Sequence, residues 1–165
     1  MDLNTGDART HLRRWGLLAA RTIPGAVMVI AGLLKVGAPA ASGRAVNAYQ
    51  ILPYDVAAHV GYGLPIVEIA AGVLLVLGLF TRTSAGIVAG LLVAFMVGIA
   101  SAWARGLSID CGCFGGGGTV QPDATAYLPD LLRDGVLLAC AALTACVRQP
   151  PFSLDRALFR TGGQP

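Results

Sequence analysis

The sequence predicts an all-α, polytopic integral membrane protein, with four transmembrane helices in one bundle and both termini on the cytoplasmic side. Three observations predict it. Only 13% of the 165 residues are charged and 55% are hydrophobic, against roughly a quarter charged in soluble domains. The apolar residues arrive in long blocks rather than in alternating or heptad patterns, and the mean hydropathy is +0.68. Four of the blocks can be drawn long enough to cross a hydrocarbon core, which takes about 20 helical residues. The 22 Gly show no three-residue repeat, so collagen is excluded along with disorder and coiled coil. Residues 1–165 read as a single domain.

Helix one covers about 16–38, with Arg21 and Lys35 near its ends, where long side chains can reach the interface. A signal peptide ending at Ala38-Pro39-Ala40 is the weaker reading, because Lys35 sits badly before such a site. Helix two covers about 57–80. Its start depends on Pro65, which either opens the helix or kinks a longer one beginning near Asp55. Helix three, about 83–105, is uncharged from Thr83 to Ala104, and Trp103 stands as an interfacial anchor. Gly86 and Gly90 form a G-x-x-x-G that Ala94 and Gly98 continue, a stripe suited to packing inside the bundle. Helix four, about 128–148, spans only if Asp130, Arg133 and Asp134 enter the membrane, since Gly135 to Val147 alone rises about 20 Å. The tail from Ser153 to Phe159 reads as a short amphipathic surface helix.

Charge sets the orientation. Arg9, Arg13 and Arg14 precede helix one, Arg82 lies between two and three, and Arg148, Arg156 and Arg160 follow four, which marks the cytoplasmic side. The opposite loops hold chiefly Arg44 and Arg105 with Asp55, Asp110 and Asp123. The net charge of +3 comes from 12 basic and 9 acidic residues without a dense basic run, so membrane lipid is the expected surroundings and nucleic acid is not a partner.

The extracytoplasmic loop, 106–127, carries Asp110-Cys111-Gly112-Cys113-Phe114 and then four glycines. Two Cys separated by one Gly approach disulfide geometry only where the backbone turns tightly, and a bridge closing so small a ring is easily reduced. Cys111 and Cys113 are therefore candidate redox cysteines in a compartment where disulfides form, with glycine-rich backbone able to move toward a partner. A structural disulfide, a metal site and two idle thiols are the competing readings. A metal lacks ligands, since the only His are His11 and His59. Asp110 beside Cys111 raises a thiol pKa, and Arg105 is the cation expected to offset it. Cys140 and Cys146 point about 240° apart on a helix and cannot pair, so no second dithiol is evident.

Depth arithmetic places Lys35, Glu68, Arg105, Arg133 and Asp134 in the outer half of the bundle beneath the cysteines. Lys35 is the single Lys and Glu68 the single Glu. A membrane carboxylate is costly alone, so Glu68 pairs with Lys35 or Arg133 or is neutral. The cluster serves either as an ion-pair lock or as a polar pocket for a proton, a quinone or a small substrate.

Arg21-x-x-x-Gly25, Gly32-x-x-Lys35, Leu52-Pro53, Leu64-Pro65-x-x-Glu68, Gly72, Gly78-x-x-x-Arg82, Cys111-Gly112-Cys113-Phe114-Gly115 and Arg133-Asp134 together resemble the MauE (methylamine utilisation protein E) family, within the wider DoxX-like group of four-helix membrane proteins. The likeness runs over about residues 16 to 148, and CGCFG before helix four narrows it to MauE. It implies a part in processing, transport or maturation of the disulfide-rich small subunit of methylamine dehydrogenase, beside a thioredoxin-like partner. Onto this chain it carries Cys111 and Cys113 as the redox pair and Glu68, Lys35 and Arg133 as matching membrane polar residues, with no catalytic assignment for the latter. The function expected is extracytoplasmic thiol-disulfide exchange with a thioredoxin-like protein or a disulfide-containing client. A non-catalytic anchor or assembly subunit of a redox complex is one alternative, and a DoxX-like quinone-linked subunit is the other. No cofactor or metal is evident in the sequence beyond that quinone.

Overall fold

The computed structural model describes residues 5–147 and 154–155. Among the described residues the α-helices are α1 (Thr5–Val36), α2 (Pro39–Ala48), α3 (Tyr54–Leu77), α4 (Thr81–Ala104) and α5 (Tyr127–Cys146). A hairpin of β1 (Ile109–Asp110) and β2 (Gly118–Thr119) and a 3-10 turn at Pro122–Ala124 fill the connection between α4 and α5.

The boundaries differ from the hydropathy blocks for physical reasons. α1 begins at Thr5 rather than near 16, because an apolar block marks the length suited to lipid while a helix can continue past it through polar residues. α2 was not expected; Pro39 sits in its first turn, where a fixed φ and a missing N–H cost nothing. α3 starts at Tyr54, directly after Pro53, and holds Pro65 in its interior. It ends at Leu77 instead of 80, because Gly78 takes a left-handed φ of 71° and closes the helix. α4 starts at Thr81, where the Asp155 carboxylate accepts hydrogen bonds from Phe80 N (2.7 Å), Thr81 N (2.9 Å) and Thr81 Oγ1 (2.8 Å), satisfying donors a helix N-terminus leaves open. Partial burial works against the charge of Asp155, yet those bonds and the Arg21 cation hold its carboxyl below the ordinary range. The expected tail helix at 153–159 otherwise lies outside the described residues.

The four long helices close a ring in which α1 packs on α3, α3 on α4, α4 on α5 and α5 on α1. α1 and α3 approach closely at Gly25 and Gly72: a Cβ on Gly72 would stand 2.6 Å from the Gly25 carbonyl oxygen. Met28, Leu75, Val88, Leu92 and Leu137 fill the centre, and Ile99, Ala102, Ile109 and Tyr127 form a second cluster under the hairpin. The G-x-x-x-G of α4 does not pack in the bundle. Gly86 and Gly90 are exposed with nothing within 4 Å of a Cβ, because α4 meets α5 through Ala85, Val88 and Leu92 on another face.

Among the described residues three segments are long and apolar enough to cross a membrane: Thr10–Val36, Tyr54–Leu77 and Thr81–Ala104. Only 33% of the most apolar 18-residue stretch of each is buried, so these helices offer much apolar surface outward, as fits a membrane protein. The 20 residues of α5 reach about 30 Å, but Asp130, Arg133 and Asp134 in its first turns leave it outside that class. Arg82 Nε donates to the Ala145 carbonyl (3.2 Å), so the α3–α4 turn and the end of α5 share one end of the bundle. The hairpin and α2 lie at the other.

Candidate functional site: a dithiol over a buried charge network

The hairpin pairs Ile109 with Thr119 and Asp110 with Gly118, which leaves 111–117 as its tip. The glycines give this tip its shape: Gly112, Gly115, Gly117 and Gly118 all have positive φ, a region closed to most side chains. Gly112 and Gly117 also press on Ala45 of α2, where a Cβ on Gly112 would come within 2.8 Å of the Ala45 methyl. The tip thus folds down onto the bundle, and Gly115 meets Leu34 of α1.

Cys111 is half-buried and Cys113 buried, and both are free thiols. The Cys113 N–H donates to the Cys111 sulfur (3.2 Å). Hydrogen bonding from Cys113 favours a Cys111 thiolate and, despite burial, holds Cys111 below the ordinary thiol range; the Arg133 cation works the same way to a smaller extent. That shared hydrogen bond and burial push Cys113 up. The two thiols are therefore unequal, one poised as a nucleophile and the other held as a thiol. Asp110 does not face Cys111 as a bare charge, because its carboxylate oxygens accept from the N–H of Gly112 (3.4 Å) and Gly117 (3.2 Å).

Arg133 is fixed from three sides. Its guanidinium bonds Asp130 (3.0 Å) and Asp134 (2.9 Å), and the Phe114 ring lies 4.9 Å away, within cation–π range. Deeper in the bundle Lys35 Nζ lies 2.6 Å from Glu68 Oε1 and 5.4 Å from the Phe95 ring. Lys35, not Arg133, is the partner of Glu68. Glu68 Oε2 and Asp134 Oδ2 are buried without a hydrogen-bond partner, and both residues line, with Cys113 and Arg133, a void of about 10 Å³. Glu68, Arg133 and Asp134, three of the five charged residues expected beneath the cysteines, thus meet at this void, and Lys35 joins them through Glu68. Arg105 does not: it is exposed and donates to the carbonyls of Ser101 (3.1 Å), Gln50 (3.3 Å) and Tyr49, tying the end of α4 to the end of α2.

The sequence pattern of the family described as methylamine utilisation protein MauE matches residues 13–147. The chain belongs to the MauE family. Neither the curated proteins nor the solved structures yield a match.

The structure adds to this MauE chain two features that its sequence did not reveal. Tyr49, at the end of α2, donates its hydroxyl to the Cys111 carbonyl (2.9 Å), and its ring rests against Gly98. Burial and the neighbouring cysteines push the Tyr49 phenol well up, so it stays a donor. The missing signal was α2 itself, whose ten residues lie between blocks and have no long apolar run. The second feature is a cavity of about 410 Å³ lined by residues of α2, α3, α4 and the hairpin tip, with Lys35, Tyr49, Cys111 and Cys113 in its wall. Among the described residues no group of three or more His, Cys, Asp or Glu is set to hold a metal.

Proposed function

We propose that this MauE-family membrane protein exchanges disulfide electrons through Cys111 and Cys113 with an extracytoplasmic thioredoxin-like protein or disulfide-containing client, and so supports maturation of a secreted or periplasmic redox protein. Family membership attaches that role to methylamine utilisation. In the proposed topology α5 is a fourth span, its charged first turns shielded by the ion pairs among Asp130, Arg133 and Asp134. The termini lie in the cytoplasm and the hairpin outside. The distribution of Arg residues supports this orientation.

The observation that carries the reading is the hydrogen bond that the Cys113 N–H donates to the sulfur of Cys111 (3.2 Å), the more accessible cysteine. Exchange begins when the Cys111 thiolate attacks a partner disulfide, forming a mixed disulfide and releasing one partner thiolate. Cys113 then loses its proton and attacks the Cys111 sulfur. The Cys111–Cys113 bond forms, and the partner leaves with both sulfurs reduced. The same steps in reverse oxidise a partner dithiol.

The test is labelling of intact cells with a membrane-impermeant maleimide after mild reduction, joined to client maturation. Labelling at Cys111, and loss of maturation in Cys111→Ser/Cys113→Ser, are expected. Full maturation with the double variant would leave only an anchoring role for the chain.

A further inference from the structure

Cys113 is buried, and its thiol proton has to leave before the sulfur can attack. The Cys111 carbonyl, 4.0 Å from the Cys113 sulfur, is a weak acceptor and no base. Beside Cys113 lies the void of about 10 Å³, whose wall includes Glu68 of α3 and Arg133 and Asp134 of α5. Each carboxylate there has one oxygen held by a cation: Lys35 Nζ on Glu68 Oε1 (2.6 Å) and Arg133 Nε on Asp134 Oδ1 (2.9 Å). The other oxygen of each, Glu68 Oε2 and Asp134 Oδ2, is buried with no hydrogen-bond partner. Asp130 also binds Arg133 (3.0 Å). Two cations therefore face three carboxylates, one proton short of balance, and unbalanced charge is costly to bury. α4 brings only Leu92 and Phe95 to the void, and thus no charge.

We propose that Asp134 takes the Cys113 proton during exchange, across the void that the two residues share. The inference rests on the reading of Cys111 and Cys113 as a redox pair. At about 10 Å³ the void is at the lower bound for one water, so the proton crosses directly or through a single molecule. Asp134 is the acceptor rather than Glu68 because of how the cations are shared. Glu68 has Lys35 to itself, whereas Asp134 divides Arg133 with Asp130, so the surplus negative charge lies on α5. Of that pair Asp134 is buried and lines the void, and Asp130 does not. The Asp134 charge is also among those that push the Cys113 thiol up, which marks the two as electrostatic neighbours. In the step, the S–H bond of Cys113 breaks and an O–H bond forms at Asp134 Oδ2. The sulfur's electron pair then makes the Cys111–Cys113 bond, and the partner sulfur leaves with the pair of the mixed disulfide. The partner is reduced and the dithiol oxidised. One proton is left on Asp134, and Cys113 takes it back when the pair is next reduced.

The experiment uses the full chain purified in detergent, carrying Cys140→Ala/Cys146→Ala to silence the other free thiols. The reduced protein is mixed with an aromatic disulfide whose released thiolate is coloured. Cys111 frees one thiolate in a phase whose rate rises with reagent, and Cys113 frees the second in a phase whose rate does not. Asp134→Asn keeps an oxygen for Arg133 Nε and loses the proton acceptor. A bystander charge and an acceptor predict opposite signs. Removing a mere negative charge beside Cys113 eases its ionisation and speeds the second release, whereas removing the acceptor slows it. The expected second phase is slower by about a hundredfold in Asp134→Asn, with the first phase little changed. It should also rise roughly tenfold per pH unit as hydroxide replaces the lost base, where the parent is level. Glu68→Gln should slow it far less. A second phase as fast as the parent's or faster, or one slowed equally by Glu68→Gln, would overturn the inference. If the variant does not fold, the parent decides: a second phase that already climbs with hydroxide overturns it too. Those results with the Cys111 phase intact remove this inference only. A first release that is missing, or that survives Cys111→Ser, removes the exchange reading.

Discussion

At the scale of single residues the chemistry turns on how the two sulfurs differ. The spacing of the CGC motif named the two cysteines, but it could not say that they are unequal, nor that Arg133 rather than Arg105 supplies the positive charge. Both arginines lie at the hairpin end of the bundle, and only the fold holds one against Asp130, Asp134 and the Phe114 ring and the other against backbone carbonyls. The Cys111 thiol is held low, so its alkylation rate should reach half-maximum at a pH below the ordinary thiol value of about 8.5. Arg133→Gln removes a stabiliser of the thiolate and should move that midpoint up, whereas Asp130→Asn removes a repelling carboxylate and should move it down. Midpoints that coincide in the three proteins would deny Arg133 its role.

Lys35 and Glu68 stood out in the sequence as the sole Lys and the sole Glu, and their partnership was one of the two pairings expected. Lys35→Met should leave the Glu68 charge buried alone and cost about 3–5 kcal/mol. Lys35→Met/Glu68→Leu should recover most of that, read as thermal unfolding in detergent. A single variant as stable as the parent would show that the pair does not hold the bundle.

At the scale of elements, hydropathy located the long helices well, because the same apolar length that suits lipid also sets most of their extent. It failed where structure depends on contacts distant in sequence. α2, the hairpin register and the Asp155 cap on α4 are set by Pro39, by left-handed glycines and by a residue 74 positions from Thr81; none leaves a periodic trace. The small-residue stripe misled for a related reason. Gly86-x-x-x-Gly90 has the pattern of a packing face, yet it lies open, while the close contact is made by Gly25 and Gly72 on α1 and α3. Gly72→Ala should therefore cost about 1–3 kcal/mol by overpacking, and Gly86→Ala should leave unfolding of the single chain unchanged. Equal effects would contradict the packing described.

At the scale of the whole molecule, the bundle separates two environments and joins them at one point. Its outer faces are apolar and its centre is closed by small and aliphatic side chains. Near the hairpin end a charge network, a cavity and two thiols adjoin, with Cys113 lining both the cavity and the void among the charges. The low charge content first placed the chain in a membrane, and the residues that break it, Lys35, Glu68, Arg133 and Asp134, are those the fold gathers under the cysteines. The central claim is that Cys111 makes the bond to a partner and Cys113 breaks it. Its most direct measurement is the recovery of mixed disulfides from intact cells expressing Cys113→Ser. The account predicts a reductant-sensitive adduct between Cys111 and an extracytoplasmic protein, absent when Cys111→Ser is added. An adduct that forms equally without Cys111, or none at all from cells in which the client still matures, would contradict it.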